Sequence, residues 1–122
     1  MRIAVLTFEG FNELDSFIAA AMVNRVKQPE LRALIVCPAE RVASMNGVVV
    51  HSQAPLSFPR EADAVIVGSG AGTRELVRNP QIMGELRLAG WKAADSVLHY
   101  VAPVGEKPQY VERARAAVGP YL

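Results

Sequence analysis

The sequence predicts an α/β fold with a mostly parallel sheet and one hairpin, and three observations support this prediction. Short, almost wholly apolar runs of strand length occur at 2–7, 31–37 and 62–67, as expected for parallel strands buried on both faces. Helical patterns follow the first and the third of these runs. An Asn46-Gly47 pair joins two further short apolar runs, which is a strong signal of a β-hairpin.

Length and composition limit the possible classes of protein. The 122 residues predict a single domain over 1–122, and 51% hydrophobic with 20% charged residues is typical of a soluble globular protein. A net charge of +1, with basic residues spread along the chain, argues against nucleic acid or an anionic membrane as a partner. One cysteine excludes an intramolecular disulfide framework. Since neither a signal peptide nor a membrane-spanning run is visible, we expect a cytoplasmic location.

The first predicted strand, at 2–7, runs into a helix that carries an acid. This helix is predicted from Glu13 to Val26, with Asn12 as its N-cap. Asp15 lies in the first turn, so its carboxylate is expected at the C-terminal edge of the sheet, where open α/β folds bind ligands. The same carboxylate can reach back to the helix start, as in a capping box.

An apolar stripe runs along this predicted helix at helical spacing. Its members are Leu14, Phe17, Ile18, Ala21 and Met22. Because residues at these intervals share one side of a helix, we expect this stripe to pack on the sheet.

The other strands follow in chain order. Residues 31–37 predict the second strand, which Pro38 ends, and 62–67 predict the third. Between them, 42–45 and 48–51 predict the two strands of the hairpin, because both residues of the intervening turn tolerate a positive φ.

Helices are predicted in the last part of the chain. After a glycine turn, Thr73 is predicted as an N-cap, and Asn79 as a second N-cap with Pro80 at the first helical position of a helix at 81–88. Two further helices are predicted at 90–101 and 108–118.

Several stretches resemble the PfpI family, within the class I glutamine amidotransferase-like superfamily. They are Ile3–Ala19, with its Phe-Glu-Gly-Phe-Asn-Glu-Leu-Asp run, the hairpin at 42–48, and Ala62–Pro80 with its glycine turn. His99–Pro103 is similar to the end of the C-terminal helix in some members. The resemblance covers nearly the whole chain and implies a flavodoxin-like three-layer sandwich.

The resemblance is interrupted after Leu88. In the family, the third strand and its helix are followed by another strand, which ends in a sharp turn presenting a nucleophilic cysteine. Here Leu88 is joined directly to a segment that resembles the C-terminal helices. The resemblance therefore implies a deletion at 88/89, an incomplete domain and a truncated sandwich without the cysteine turn.

Two features are candidates for a site. Asp15 matches the acid that, in relatives resembling isocyanide hydratases, lies against the cysteine and handles protons; otherwise it is a carboxylate favoured by the helix macrodipole. Gly68, Ser69 and Gly70 occupy the family's glycine turn, whose N–H groups help to form an oxyanion or anion site. Ser69 stands where relatives tend to have glycine, and the alternative is a turn that simply needs small residues.

The other reactive side chains are interpreted as structural. Cys37 ends an apolar strand, so we interpret it as a small buried hydrophobic residue and not as a nucleophile. Neither His51 nor His99 is spaced with another ligand type, so no metal site is predicted, and no cofactor is expected. A Cys37–His99 pair stays open.

Three functions remain as hypotheses. The first is a non-catalytic PfpI-like protein that forms a homo-oligomer, because the third strand would be left as an uncovered sheet edge. The second is a residual hydratase or hydrolase, isocyanide hydratase- or glyoxalase-like, in which Asp15 and the amides near Gly70 act on a small electrophilic substrate. The third is a binder of small anions or nucleotides at 68–73.

Overall fold

The computed structural model of the chain describes residues 1–89. The elements, in chain order, are β1 (Arg2–Leu6), α1 (Glu13–Arg25), β2 (Arg32–Val36), β3 (Arg41–Ala43), β4 (Val49–His51), a 3-10 turn (Phe58–Arg60), β5 (Ala64–Val67), α2 (Thr73–Leu76) and α3 (Pro80–Leu88). The helices predicted at 90–101 and 108–118 lie outside the described residues. Within residues 1–89, no helix combines the length and the apolar character needed to cross a bilayer.

A parallel three-stranded sheet places β1 between β2 and β5. Leu6 pairs with Val36 on one side and with Val67 on the other, so the three strands end at the same edge. β3 and β4 form a separate antiparallel hairpin. These findings confirm the predicted α/β fold with a mostly parallel sheet and one hairpin. The strand order reverses at β1, which places the topological switch point between β1 and β5.

The core lies on both faces of the sheet. Successive residues of a strand point to opposite faces, so Ala4, Leu6 and Val36 lie on the face of the sheet away from α1. All three are 0% exposed. Phe11 is also fully buried, and its ring packs edge-on against Phe17 with the centroids 5.6 Å apart. Both faces are therefore covered, as a parallel sheet requires. The buried cluster on the side of α1 consists of Ile3, Val5, Phe11, Ala20, Ala33, Ile35, Cys37 and Val42.

The prediction for the buried face of α1 holds for Phe17, which packs against the core, and was wrong for the rest of the stripe. Ala21 is exposed. Leu14, Ile18 and Met22 face solvent, with 66%, 51% and 66% of their surface exposed. The helix buries Ser16 and Ala20 completely or nearly so, and Phe17 and Val23 pack beside them as partly buried residues. Hydrogen bonds from its first turn to the hairpin and to the turn after β5 fix the rotation of the helix about its axis.

Asparagine caps begin both long helices, as predicted. The Asn12 side-chain oxygen accepts a hydrogen bond from the N–H of Leu14 at 3.2 Å. The Asn79 side-chain oxygen accepts from the second and third helical N–H groups at 3.0 and 3.2 Å, and Pro80 is the first helical residue. These bonds satisfy donors that have no partner inside the helix.

Two capping details were wrong. Asp15 does not form a capping box, because its carboxylate accepts hydrogen bonds from Ser69, in the turn that follows β5. Thr73 is the first residue of α2, and Gly72 is the N-cap. The Thr73 hydroxyl instead donates to the carbonyl of Gly70 at 2.7 Å, which stabilises the turn before the helix.

The hairpin turn has one more residue than its Asn46-Gly47 pair predicts. Val42 pairs with Val50, and the N–H of Gly47 donates to the carbonyl of Ser44 at 3.1 Å. The loop therefore spans residues 45–47. Gly47 has a φ of +84°, a conformation that glycine adopts readily, whereas no other residue type in the described part of the chain has a positive φ. Asn46 lies in the middle of the loop, but its φ is negative.

The two outer edges of the sheet differ. At β2, the N–H of Ile35 donates to the Gln53 side chain, and the N–H of Gln53 donates back to the Ile35 carbonyl, both at 2.8 Å. The N–H of Cys37 donates to the Ser52 hydroxyl, also at 2.8 Å. The segment around Gln53 thus covers β2. Within residues 1–89, no strand pairs with the outer edge of β5.

Candidate functional site

Asp15 and the glycine turn meet at the switch point between β1 and β5. One carboxylate oxygen of Asp15, Oδ2, accepts hydrogen bonds from the backbone N–H and the hydroxyl of Ser69, at 2.9 and 2.5 Å. The carbonyl of Ser69 in turn accepts from the N–H of Asn12 at 2.8 Å. The predicted acid and the predicted anion-binding turn are therefore adjacent. The Ser69 N–H donates to the Asp15 carboxylate, so this donor is already used within the protein.

Gly68 allows the helix to approach the strand end. A Cβ built on Gly68 would lie 3.2 Å from the Cβ of Asp15 and 3.3 Å from the hydroxyl oxygen of Ser16. Both distances are tighter than an ordinary van der Waals contact. Any side chain at this position would push the first turn of α1, and Asp15 with it, away from β5.

Gly70 and Gly72 are required where two loops touch. A Cβ on Gly70 would overlap the carbonyl oxygen of Gly10 and would lie 2.7 Å from the Cα of Phe11. A Cβ on Gly72 would overlap the carbonyl oxygen of Glu9. Gly70 also forms an antiparallel bridge with Phe11. The glycines of this turn thus allow the β1–α1 loop to dock against it, in line with the alternative that the turn needs small residues.

A buried pair of hydroxyls connects β1 to the same turn of α1. Thr7 and Ser16 are both 0% exposed, and their hydroxyl oxygens form a hydrogen bond at 3.1 Å. Sequence reasoning missed this pair. The signals that could have found it are a threonine that closes an apolar strand and a serine in the first turn of the next helix.

A second acid of α1, Glu13, binds the hairpin turn. Its carboxylate accepts from the Ser44 hydroxyl and, at 2.9 Å, from the side-chain amide of Asn46. The hydrogen bond from Ser44 is the largest of the causes that hold the pKa of Glu13 below its usual range. The first turn of α1 is therefore fixed on two sides, by Glu13 to the hairpin and by Asp15 to the turn after β5. Sequence reasoning did not single out Glu13.

Cys37 lies across β1 from Asp15. It follows β2, it is 3% exposed and it belongs to the buried cluster, as predicted. Burial raises the pKa of its thiol, and the hydrogen bond with Ser52 opposes this only in part. Neighbouring strands lie about 4.8 Å apart, so the ends of β2 and β5 are separated by roughly 10 Å. Nothing in the described residues brings Cys37 to the Asp15–Ser69 pair.

A shallow depression of about 450 Å³ runs beside Cys37, between the end of β2 and residues 52–56. The polar side chains that line it include Ser52 and Gln53, and both already bind the backbone of β2. The depression is thus a by-product of the segment that covers this edge.

The remaining predicted residues do not join the pair. His51 is exposed at the end of β4. Among residues 1–89, no three His, Cys, Asp or Glu side chains are grouped closely enough to hold a metal ion. His99 lies outside the described residues, and so does the possibility of its pairing with Cys37. The helix after the glycine turn has only four residues, Thr73–Leu76.

Solved structures of DJ-1/PfpI superfamily proteins share this fold. A DJ-1 superfamily protein from Salmonella typhimurium is 21% identical, with a TM-score of 0.63 over 73% of this chain and 49% of that one. One from Agrobacterium tumefaciens is 19% identical, with a TM-score of 0.61 over 96% and 72% of the two chains. DJ-1 from Schizosaccharomyces pombe is 12% identical, with a TM-score of 0.63 over 92% of this chain and 73% of that one.

These likenesses show a shared fold and confirm the fold implied by the resemblance to the PfpI family. The chain spans about half the length of the Salmonella protein and of a DJ-1 protein from Drosophila melanogaster, 49% and 47% respectively. No protein-family model matches the chain. No curated protein matches it either.

Proposed function

We propose that this chain is a PfpI-like protein without thiol catalysis that acts through association with further copies of itself. The fold shared with DJ-1/PfpI superfamily structures supports the first part. The observation that carries the association is the outer edge of β5, with which no strand pairs within residues 1–89. Unpaired backbone donors and acceptors along a strand can bind a strand of another chain.

The composition of β5 supports this proposal. Its four residues, Ala64–Val67, are all apolar, yet only Val65 is buried and the other three are half-buried. A strand of this type normally has neighbours on both sides in a parallel sheet. A strand of a second copy would pair with this edge.

Three observations support the absence of thiol catalysis. Cys37 is the single cysteine of the chain, and it is buried. Burial raises the pKa of its thiol and so lowers the fraction of reactive thiolate at neutral pH. The Asp15 carboxylate already accepts two hydrogen bonds from Ser69 on its Oδ2 atom, from the backbone N–H and from the hydroxyl, so this oxygen is engaged within the fold.

The proposal extends to the organisation and location of the chain. Residues 1–122 would form one PfpI-like domain, with a deletion relative to the family at 88/89. The nucleotide sequence around the codons for Leu88 and Ala89 tests this point, since an uninterrupted natural reading frame is expected of a genuine short protein. A cytoplasmic location is part of the proposal.

Light scattering on the full chain tests the association. We expect a homodimer or a larger assembly at micromolar concentration. A stable, compact monomer under these conditions would refute the proposed self-association.

The position of Asp15 at the switch point favours a second candidate function, a hydratase or hydrolase of the family type. Asp15 would act as the base, amides near Gly70 would stabilise an oxyanion, and a partner chain would supply the thiol. Assays of isocyanide hydration and glyoxal consumption with wild type and Asp15→Asn separate the two functions. The enzyme function requires turnover by wild type that the substitution abolishes.

A further inference from the structure

The hairpin loop presents an Asn-Gly pair to solvent. Asn46 and Gly47 are both exposed, and a Cβ built on Gly47 would meet no atom within 4 Å. An asparagine side chain can close a succinimide ring with the backbone nitrogen of the residue that follows it. Glycine hinders this ring closure least, because it has no side chain and its backbone is permissive. The pair therefore has the local chemistry of a deamidation site.

The other asparagines of the chain, Asn12, Asn24 and Asn79, are poorer candidates. Asn79 precedes Pro80, whose nitrogen carries no hydrogen to lose. Both ends of the Asn24 amide bind the backbone of β2, at 3.0 and 2.8 Å. The side-chain oxygen of Asn12 caps α1, and the next residue, Glu13, is the first of the helix. Only Asn46 combines exposure with a glycine as its next residue.

Few contacts oppose ring closure at Asn46. Its side-chain nitrogen, Nδ2, donates to the carboxylate of Glu13 at 2.9 Å. The Gly47 N–H, which loses its proton when the ring closes, donates to the carbonyl of Ser44 at 3.1 Å. Both hydrogen bonds belong to an exposed loop, where bonds to water replace them at little net cost.

We propose that Asn46 is a site of deamidation, which turns an attraction between the hairpin and α1 into a repulsion. The backbone nitrogen of Gly47 attacks the side-chain carbonyl carbon of Asn46 and loses its proton. The bond from that carbon to Nδ2 breaks, and the amide nitrogen leaves as ammonia. Water then opens the succinimide at either carbonyl, which gives aspartate or isoaspartate at position 46. This chemistry is independent of the proposed self-association.

The product carries a negative charge where the native side chain donates a hydrogen bond. The Glu13 carboxylate, which accepts from Nδ2 of Asn46, would then face a second carboxylate. Glu9 adds to the repulsion, because its carboxylate accepts the N–H of Ala43 on the same hairpin, at 3.0 Å. The hydrogen bond from the Ser44 hydroxyl to Glu13 remains. Deamidation therefore removes one of the two side-chain hydrogen bonds through which Glu13 holds the hairpin turn.

Mass spectrometry of the full chain, aged in mildly alkaline buffer, tests the site. We expect the peptide that contains Asn46 to become about 1 Da heavier. Its conversion should be about tenfold faster than that of the other three asparagines, since only Asn46 precedes glycine. Asn46→Gln is the matched control, because its longer side chain closes a ring slowly. Equal rates at the four asparagines, or conversion of Asn46 only in urea, would overturn the assignment.

Labelling of the aged protein by an isoaspartate methyltransferase tests the route. Ring closure through Gly47 predicts isoaspartate at position 46 and therefore labelling of this peptide. A gain in mass without labelling would show direct hydrolysis of the amide and would overturn the attack by the Gly47 nitrogen.

Asn46→Asp tests the consequence, with Asn46→Ala as the control that removes the donor without adding charge. We expect Asn46→Asp to lower the melting temperature at neutral pH by about 2 °C more than Asn46→Ala does. In a Glu13→Gln background this difference should largely disappear, because the facing charge is gone. Equal melting temperatures for the two substitutions, or a difference that Glu13→Gln leaves undiminished, would refute the repulsion.

Discussion

Asp15→Asn should weaken the junction between α1 and the turn after β5. The substitution keeps an oxygen that can accept the two hydrogen bonds from Ser69, now at 2.9 and 2.5 Å, but removes the negative charge. Hydrogen bonds to charged groups contribute about 1.5–3 kcal/mol and those between neutral groups about 0.5–1.5 kcal/mol. Since Asp15 is exposed, solvent screening reduces this difference. We expect a loss of about 1 kcal/mol in the free energy of unfolding.

Urea and thermal unfolding measure this loss, which corresponds to roughly 4 °C in melting temperature for a domain of this size. A double-mutant cycle with Ser69→Ala, which removes the hydroxyl but keeps the amide, should give a coupling of about 0.5–1.5 kcal/mol. Glu75→Gln is the control, because its ion pair with Arg78 is exposed and should contribute almost nothing. Additive effects of the two substitutions, or no loss with Asp15→Asn, would refute the reasoning.

Three further predictions follow from the packing and the charges. Gly70→Ala should destabilise the fold by about 2–4 kcal/mol in urea, because the new Cβ overlaps the β1–α1 loop, whereas Gly84→Ala in α3 meets open space and should stabilise it by about 0.5–1 kcal/mol. Equal effects at the two glycines would contradict the overlap. Because Cys37 is buried and its thiol pKa is raised, it should react with alkylating reagents much more slowly in native than in urea-treated protein, and mass spectrometry of the two samples checks this. Because the pKa of Glu13 lies below its ordinary value of 4.5, its stabilising contribution is complete above that pH and is lost as the pH falls through the lower, folded-state pKa. The melting temperature of wild type should therefore fall more steeply than that of Glu13→Gln as the pH is lowered. The same dependence on pH for both proteins would exclude this role.

Most features that depend on neighbouring residues in the sequence were predictable, with the Thr73 cap and the length of the hairpin turn as exceptions. The three apolar runs became β1, β2 and β5, and their boundaries moved inward by one or two residues. The caps Asn12 and Asn79 were also predicted correctly, because a cap and its partner N–H groups lie within three residues of each other.

The buried face of α1 was not predictable from its pattern. Hydrophobicity alone selects Leu14, Ile18 and Met22 for the core, yet the rotation of the helix depends on contacts that are distant in sequence. Glu13 reaches the hairpin and Asp15 reaches Ser69, and neither contact leaves a local signal. Phe17 and Val23 pack on the core side with Ser16 and Ala20, so apolar residues occur on more than one side of the helix and the pattern alone does not select the buried one.

The candidate site was predictable in position but not in detail. Asp15 and the glycine turn both follow parallel strands, so their meeting at one edge of the sheet follows from topology. The hydrogen bond from the Ser69 N–H to the Asp15 carboxylate does not follow from topology, because it depends on the direction of a single side chain. The hydroxyl pair of Thr7 and Ser16 was missed for the same reason.

The central place of β1 in the sheet has a consequence for synthesis of the protein. Arg2 pairs with Arg32, and Ile3 pairs with Ala64, so the strand that is made first obtains its two neighbours at different times. On the ribosome, β1, α1 and β2 can assemble as one unit as soon as β2 has emerged. The other side of β1 must wait for β5, and during that interval the nascent chain exposes the edge of its most deeply buried strand to other chains.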